Sequence, residues 1–125
     1  MARPKRTVVY IEDEPAVQRL VGFWLEDAGY RVLIAGDGSA GLELVRAERP
    51  DLIVTDALMP LMTGDELVEV LQADPELRAI PIVMATAAAS QLRVKRMLAL
   101  GCRAVVSKPL DETSFLAAVA DALAD

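Results

Sequence analysis

The chain has 125 residues, 54% of them hydrophobic and 26% charged, which describes one domain able to bury a sizeable core. Its formal net charge of -6 argues against direct nucleic-acid binding, because phosphate recognition needs a basic surface. The absence of His removes Ser-His and Cys-His catalysis and His-based metal sites, and no apolar stretch approaches the ~20 residues that cross a bilayer.

The basic start Arg3, Lys5 and Arg6 reads as a solvated terminus, without the apolar region and cleavage site of a secretory signal. A first strand follows over Thr7–Ile11, rich in β-branched residues. Pro15 suits the first turn of a first helix, on which Val17, Leu20, Val21, Trp24, Leu25 and Ala28 recur with helical spacing until Gly29 stops it. Arg31 to Ala35 reads as a second strand and Gly36-Asp37-Gly38 as a turn. Ser39 is the expected cap of a second helix running to about Ala47, with Leu42 and Val45 inward. The third strand, Leu52 to Thr55, delivers Asp56 at its mouth and is followed by a loop holding Pro60 and Gly64. Asp65 leads a third helix with Leu67, Val68 and Leu71 on its apolar face. A Pro75–Pro81 linker precedes the fourth strand, Ile82 to Thr86. Gln91 to Leu100 is a fourth helix ended by Gly101, Ala104 to Ser107 a fifth strand, and Asp111 caps a fifth helix carrying Phe115, Leu116, Val119 and Leu123. The lone Cys102 excludes an internal disulfide, fits a reducing compartment, and reads as a small buried thiol. A cytoplasmic location is expected.

Strand and helix alternating five times imply a parallel sheet with helices on both faces. In such folds the ligand site lies beyond the carboxyl ends of the strands. Glu12-Asp13 follows the first strand, Asp56 the third, Thr86 ends the fourth, and Ser107-Lys108-Pro109 closes the fifth. Singly, each has an ordinary reading: Asp56 as a turn former, Glu12 and Asp13 as favourable charges ahead of a helix, Lys108 as a solvated cation. Jointly they place three carboxylates, a hydroxyl and an ammonium at one sheet edge. Clustered anions resist ionisation, and a six-coordinate, oxygen-seeking divalent cation such as Mg²⁺ relieves that. An Asp carboxylate can serve as the nucleophile of phosphoryl transfer, with the cation and Lys108 neutralising charge and Thr86 donating a hydrogen bond to a phosphoryl oxygen. A cis peptide is expected between Lys108 and Pro109.

The segments Val9-Tyr10-Ile11-Glu12-Asp13-Glu14, Asp56 with Met59-Pro60 and Gly64, Pro81-Ile82-Val83 with Thr86-Ala87, and Lys108-Pro109 together resemble the receiver domain of two-component response regulators, from Val8 to Leu123. The resemblance implies a single (βα)5 flavodoxin-like receiver domain over residues 1–125, with strand order 2-1-3-4-5 and no output domain in the chain. It implies that Asp56 is the phospho-acceptor, Thr86 the switch hydroxyl and Lys108 the phosphate-binding lysine. It further implies that Glu12, Asp13, Asp56 and the backbone carbonyl of Leu58 hold Mg²⁺. The implied donor is a phosphohistidine on a sensor histidine kinase or phosphotransfer protein, replaceable by small acyl phosphates. The implied output face is helix four, strand five and helix five, and the protein is expected to assist its own phosphorylation and dephosphorylation without being an enzyme.

Two positions depart from the family. Val105 stands where many receivers carry an aromatic coupled to the switch hydroxyl, and Leu110 replaces a Phe. The small loop Ala87-Ala88-Ala89 suits movement before helix four. Ala117, Ala118 and Ala122 are expected on the outer side of helix five, a candidate surface for a partner or a homodimer. Phe23, beside Arg19 and Glu26 on helix one, is the other exposed suspect. Leu58 and Ala88 cannot orient a hydrolytic water through a side-chain hydrogen bond, which predicts slow loss of phosphate. The rival readings are a phosphorylation-independent interaction module and a haloacid dehalogenase-type phosphatase. The second wants an Asp two residues after the nucleophile, where Leu58 stands.

Overall fold

The computed structural model describes residues 4–87 and 90–124. Arg3, Ala88 and Ala89 lie outside the described residues. Five strands, β1 (Thr7–Ile11), β2 (Arg31–Ala35), β3 (Leu52–Asp56), β4 (Ile82–Thr86) and β5 (Ala104–Ser107), form one sheet in the order β2-β1-β3-β4-β5. All four neighbouring pairs are parallel. Between and after them run α1 (Pro15–Asp27), α2 (Gly38–Glu48), α3 (Gly64–Ala73), α4 (Gln91–Leu100) and α5 (Glu112–Leu123). No helix among the described residues is long and apolar enough to cross a membrane.

Strand alternation divides the core between the sheet's two faces. Val9, Ile11, Ile53, Ile82 and Met84 point toward Leu42 and Val45 of α2, Leu67, Val68 and Leu71 of α3 and Met97 of α4. Val8, Tyr10, Leu52, Val54 and Val83 point toward Val21 and Leu25 of α1 and Phe115, Val119 and Leu123 of α5. Central β3 and β4 are buried throughout, which explains their unbroken apolar runs.

Several element ends differ from the sequence reading, for local reasons. The cap of α2 is Asp37, whose carboxylate accepts from the Ala40 N–H at 2.8 Å; Ser39 is already inside the helix. α3 starts from Thr63, which forms a reciprocal capping box with Glu66, so Asp65 lies in the first turn and adds favourable charge there. On α1 the inward arc is Val21, Gly22 and Leu25, while Leu20 is 52% exposed and Ala28 is also exposed. Ala122 is not on the outer side of α5: it is buried, three residues from Val119 and in the same core cluster. Of the other two expected there, Ala117 is exposed and Ala118 is half-buried, and Ala120 is exposed as well. Asp111 caps α5 as expected; its carboxylate accepts from the Ser114 backbone N–H at 2.9 Å, which lowers its pKa.

Cys102 is buried where α4 turns into β5, after Gly101 with its φ of 120°. Burial, aided by the charge of Asp65, pushes the thiol up from 9.0 to about 12. The unfolded chain therefore loses this proton before the folded chain does. Between pH 9 and 12 the thiol's share of stability falls by up to about 1.4 kcal/mol per pH unit, and Cys102→Ala is expected to flatten that decline. At pH 8 a thiol-specific disulfide reagent should label the native protein slowly and the urea-unfolded chain at once; fast native labelling would contradict this environment.

Candidate functional site

The carboxyl ends of β1, β3, β4 and β5 converge on one acidic pocket. Glu12 immediately follows β1 and is 1% exposed; Asp56 is the last residue of β3 and is 7% exposed. Asp13 is exposed beside them. One carboxylate oxygen from each of the three lies within 4.8 Å of the others. Two of these groups sit at sheet positions that the register holds: Asp56 pairs with Ala85 across β3–β4, and the Glu12 N–H donates to the Ala35 carbonyl at 3.0 Å.

Lys108 joins the cluster from the far edge. Its Nζ donates to Glu12 Oε1 at 2.6 Å and to Asp56 Oδ2 at 2.9 Å. The peptide to Pro109 is cis, as expected from the sequence, and the Lys108 N–H donates to the Thr86 carbonyl at 3.0 Å. Partial burial works against the ammonium, but the hydrogen bonds it donates to Glu12 and Asp56 and the charges of those carboxylates outweigh it and raise its pKa. Thr86 is fully buried at the end of β4, next to Ala85 and opposite Ser107 in the register. Leu58 has an exposed side chain, and its backbone N–H donates to Asp56 Oδ1 at 3.3 Å. Val105 is partly buried and packs against the core on the α4 side, in register with Met84.

Three supporting residues escape the sequence reading. The Tyr10 hydroxyl donates to Glu12 Oε1 at 3.4 Å from inside the core; burial first, then the charges of Glu12 and Asp56, push its pKa far up, so it stays a neutral donor. The Gln18 amide donates to the Glu12 carbonyl, and the Glu14 N–H donates to Glu12 Oε2 at 3.1 Å. Only the alternation that sends Tyr10 and Glu12 to the same side of β1 hinted at the first. Gly64 presses against the acceptor strand itself: its N–H donates to the Ala57 carbonyl, and a Cβ there would lie 2.6 Å from the Asp56 carbonyl oxygen.

The pocket thus holds three carboxylates against one ammonium, with the surplus charge negative. Oxygen-only donors in this number suit a hard divalent cation. Clustered carboxylates, an ammonium and a site fit for a cation are parts that could serve transfer of an anionic group to a carboxylate. Beside Lys108 opens an apolar groove of 370 Å³ lined by Val17, Leu20, Trp24, Ala87 and Pro109, which accounts for the exposure of Leu20.

Known proteins are similar to this chain in sequence and fold. The chain is 33% identical over 120 residues to the polar-differentiation response regulator DivK of Brucella anthropi, covering 96% of this chain and 98% of that one. It is 42% identical over 116 residues to the hybrid signal transduction histidine kinase D of Dictyostelium discoideum, of which it spans 7% of the length and 92% of its own. Its structure superposes on the chemotaxis response regulator CheY4 of Vibrio cholerae with a TM-score of 0.90 at 29% identity, covering 96% of this chain and all of that one. Residues 8–120 match the family model of the response regulator receiver domain, and the chain belongs to that family of two-component signalling modules.

Proposed function

We propose that this protein is a phosphorylation-dependent receiver in which Asp56 takes a phosphoryl group from the phosphohistidine of a sensor kinase or phosphotransfer protein. The observation that carries this reading is the convergence of Glu12, Asp13, Asp56 and Lys108 at the sheet edge, with ligand oxygens within 4.8 Å. An Asp56 oxygen forms the new P–O bond as the donor's P–N bond breaks; the bonding pair stays on the leaving nitrogen, and a proton on the other ring nitrogen makes the departing group neutral imidazole. Mg²⁺ held by Glu12, Asp13, Asp56 and the Leu58 carbonyl would supply charge neutralisation for the transferred group. Lys108 then turns from its carboxylate partners toward a phosphoryl oxygen, and Thr86 donates to another. The added charge biases the domain between two conformations, read out through α4, β5 and α5. With Val105 in place of an aromatic, that bias passes through Thr86 without an aromatic partner.

The reading takes residues 1–125 as one receiver unit, acting in the cytoplasm through a protein partner and turning over no substrate of its own. The haloacid dehalogenase alternative lacks its acid/base group, because Leu58 occupies that position. Intact-mass measurement with acetyl phosphate tests the proposal. One phosphoryl group should appear with Mg²⁺ and not with a chelator. After donor removal it should persist for minutes or longer, since the apolar Leu58 and Ala88 cannot orient a hydrolytic water. No adduct with any phosphodonor would support a phosphorylation-independent module, steady release of phosphate from esters would support a phosphatase, and decay within seconds would defeat the slow-hydrolysis expectation.

A further inference from the structure

Helix α1 carries a surface that the acidic pocket does not use. Phe23 is 65% exposed there, and Ile34 of the edge strand β2 is 40% exposed beside it. A groove of 290 Å³ runs between them, lined by Gln18, Arg19, Gly22, Phe23, Glu26 and Ile34. Gly22 floors it: a Cβ at that position would lie 3.1 Å from Ile34 Cδ1, so the floor is bare backbone and an isoleucine methyl. Arg19 and Glu26 stand about one helical turn to either side of Phe23. Neither takes part in an ion pair among the described residues.

A cation at one end, an anion at the other, and a knob next to a recess between them make a patch complementary to itself under a twofold axis. We propose that α1 is a homodimer interface in which two copies pack their α1 helices antiparallel, about an axis crossing the helix between Gly22 and Phe23. That one axis seats the Phe23 ring of each copy over Gly22 and Ile34 of the other. It also brings Arg19 of each copy opposite Glu26 of the other. The aromatic anchor supplies most of the affinity, because exposed ion pairs add little, and the two charge pairs set the register. Each copy carries a net charge of -6, which opposes general attraction and makes the dimer weak.

Sedimentation velocity over a micromolar-to-millimolar concentration series tests this, with circular dichroism confirming that each variant is folded. The wild type should show a monomer–dimer equilibrium, and Phe23→Asp should abolish it. Arg19→Glu sets carboxylates against Glu26 of the second copy and should raise Kd by about tenfold or more. The double variant Arg19→Glu/Glu26→Arg should recover wild-type Kd to within about threefold. A wild type that is monomeric throughout, a dimer that survives Phe23→Asp, or a charge swap that fails to recover association would each overturn the proposal.

Discussion

Asp56→Asn is expected to abolish the acetyl phosphate adduct completely, under conditions where the wild type gains one phosphoryl group. The amide oxygen carries no negative charge and is a poor nucleophile, so the loss reflects chemistry and not geometry. One local hydrogen bond is lost, because the amide NH2 takes the Oδ2 position and cannot accept the 2.9 Å bond from Lys108. Leu58 N–H still meets an oxygen at the Oδ1 position, and Lys108 keeps its 2.6 Å bond to Glu12. Removing one of three clustered anions also relieves repulsion. Stability should therefore change by less than about 1 kcal/mol, in either direction. The check is intact mass for the adduct together with urea unfolding for the fold. A phosphorylated Asp56→Asn protein would move the acceptor to another carboxylate, Glu12 or Asp13 being nearest. A strongly destabilised one would leave the adduct result uninformative about chemistry and would mean that Asp56 is structural.

Gly64→Ala is expected to cost about 3 kcal/mol. The Cβ would stand 2.6 Å from the Asp56 carbonyl oxygen, 2.9 Å from Ala57 Cα and 2.9 Å from Met84 Sδ. Two of those three neighbours are backbone of the acceptor strand and its loop, which cannot rotate aside. Either α3 lifts off the sheet, losing the Gly64–Ala57 hydrogen bond, or β3 shifts at the very residue that bears the acceptor. Gly41→Ala provides the contrast. Its nominal clash is closer, 2.3 Å to Ile11 Cδ1 and 2.7 Å to Cγ1, but both atoms belong to a side chain, which yields more readily than backbone. That variant should lose only about 1 to 2 kcal/mol. Urea unfolding of both, with unchanged m-values, is the measurement; equal losses would mean that backbone and side-chain obstruction count alike here. Gly64→Ala should also slow adduct formation in the folded fraction, because the displaced strand carries Asp56.

The fold was largely legible in the sequence because its periodicities are strong. The run Leu52-Ile53-Val54-Thr55 and the Val21/Leu25 spacing each allow one kind of element, and five strand–helix repeats allow few topologies. Element ends were harder to read. Ser39 and Asp37 are both good caps, and only the course of the chain after β2 decides that Asp37 faces the Ala40 N–H. Leu20 and Ala122 were misplaced for a related reason. Helical spacing identifies an apolar stripe but not its centre, and the centre depends on what packs opposite: α1 turns Gly22 inward toward β2, whereas α5 turns Ala122.

The acidic pocket was legible in part. Glu12, Asp13, Asp56, Thr86 and Lys108 each follow or end a strand, and parallel strands send all such residues to one edge. That much follows from order along the chain, and it made the chemistry readable before any coordinate. Tertiary structure alone decided that Lys108 bridges Glu12 and Asp56, that Tyr10 reaches Glu12 from the core, and that Gly64 lies against the acceptor strand. It alone also set Phe23, Gly22 and Ile34 around one groove. A sequence records which residues an element carries and in what order. It does not record the distance between side chains on separate elements, which the sheet register, the helix rotations and close packing settle together.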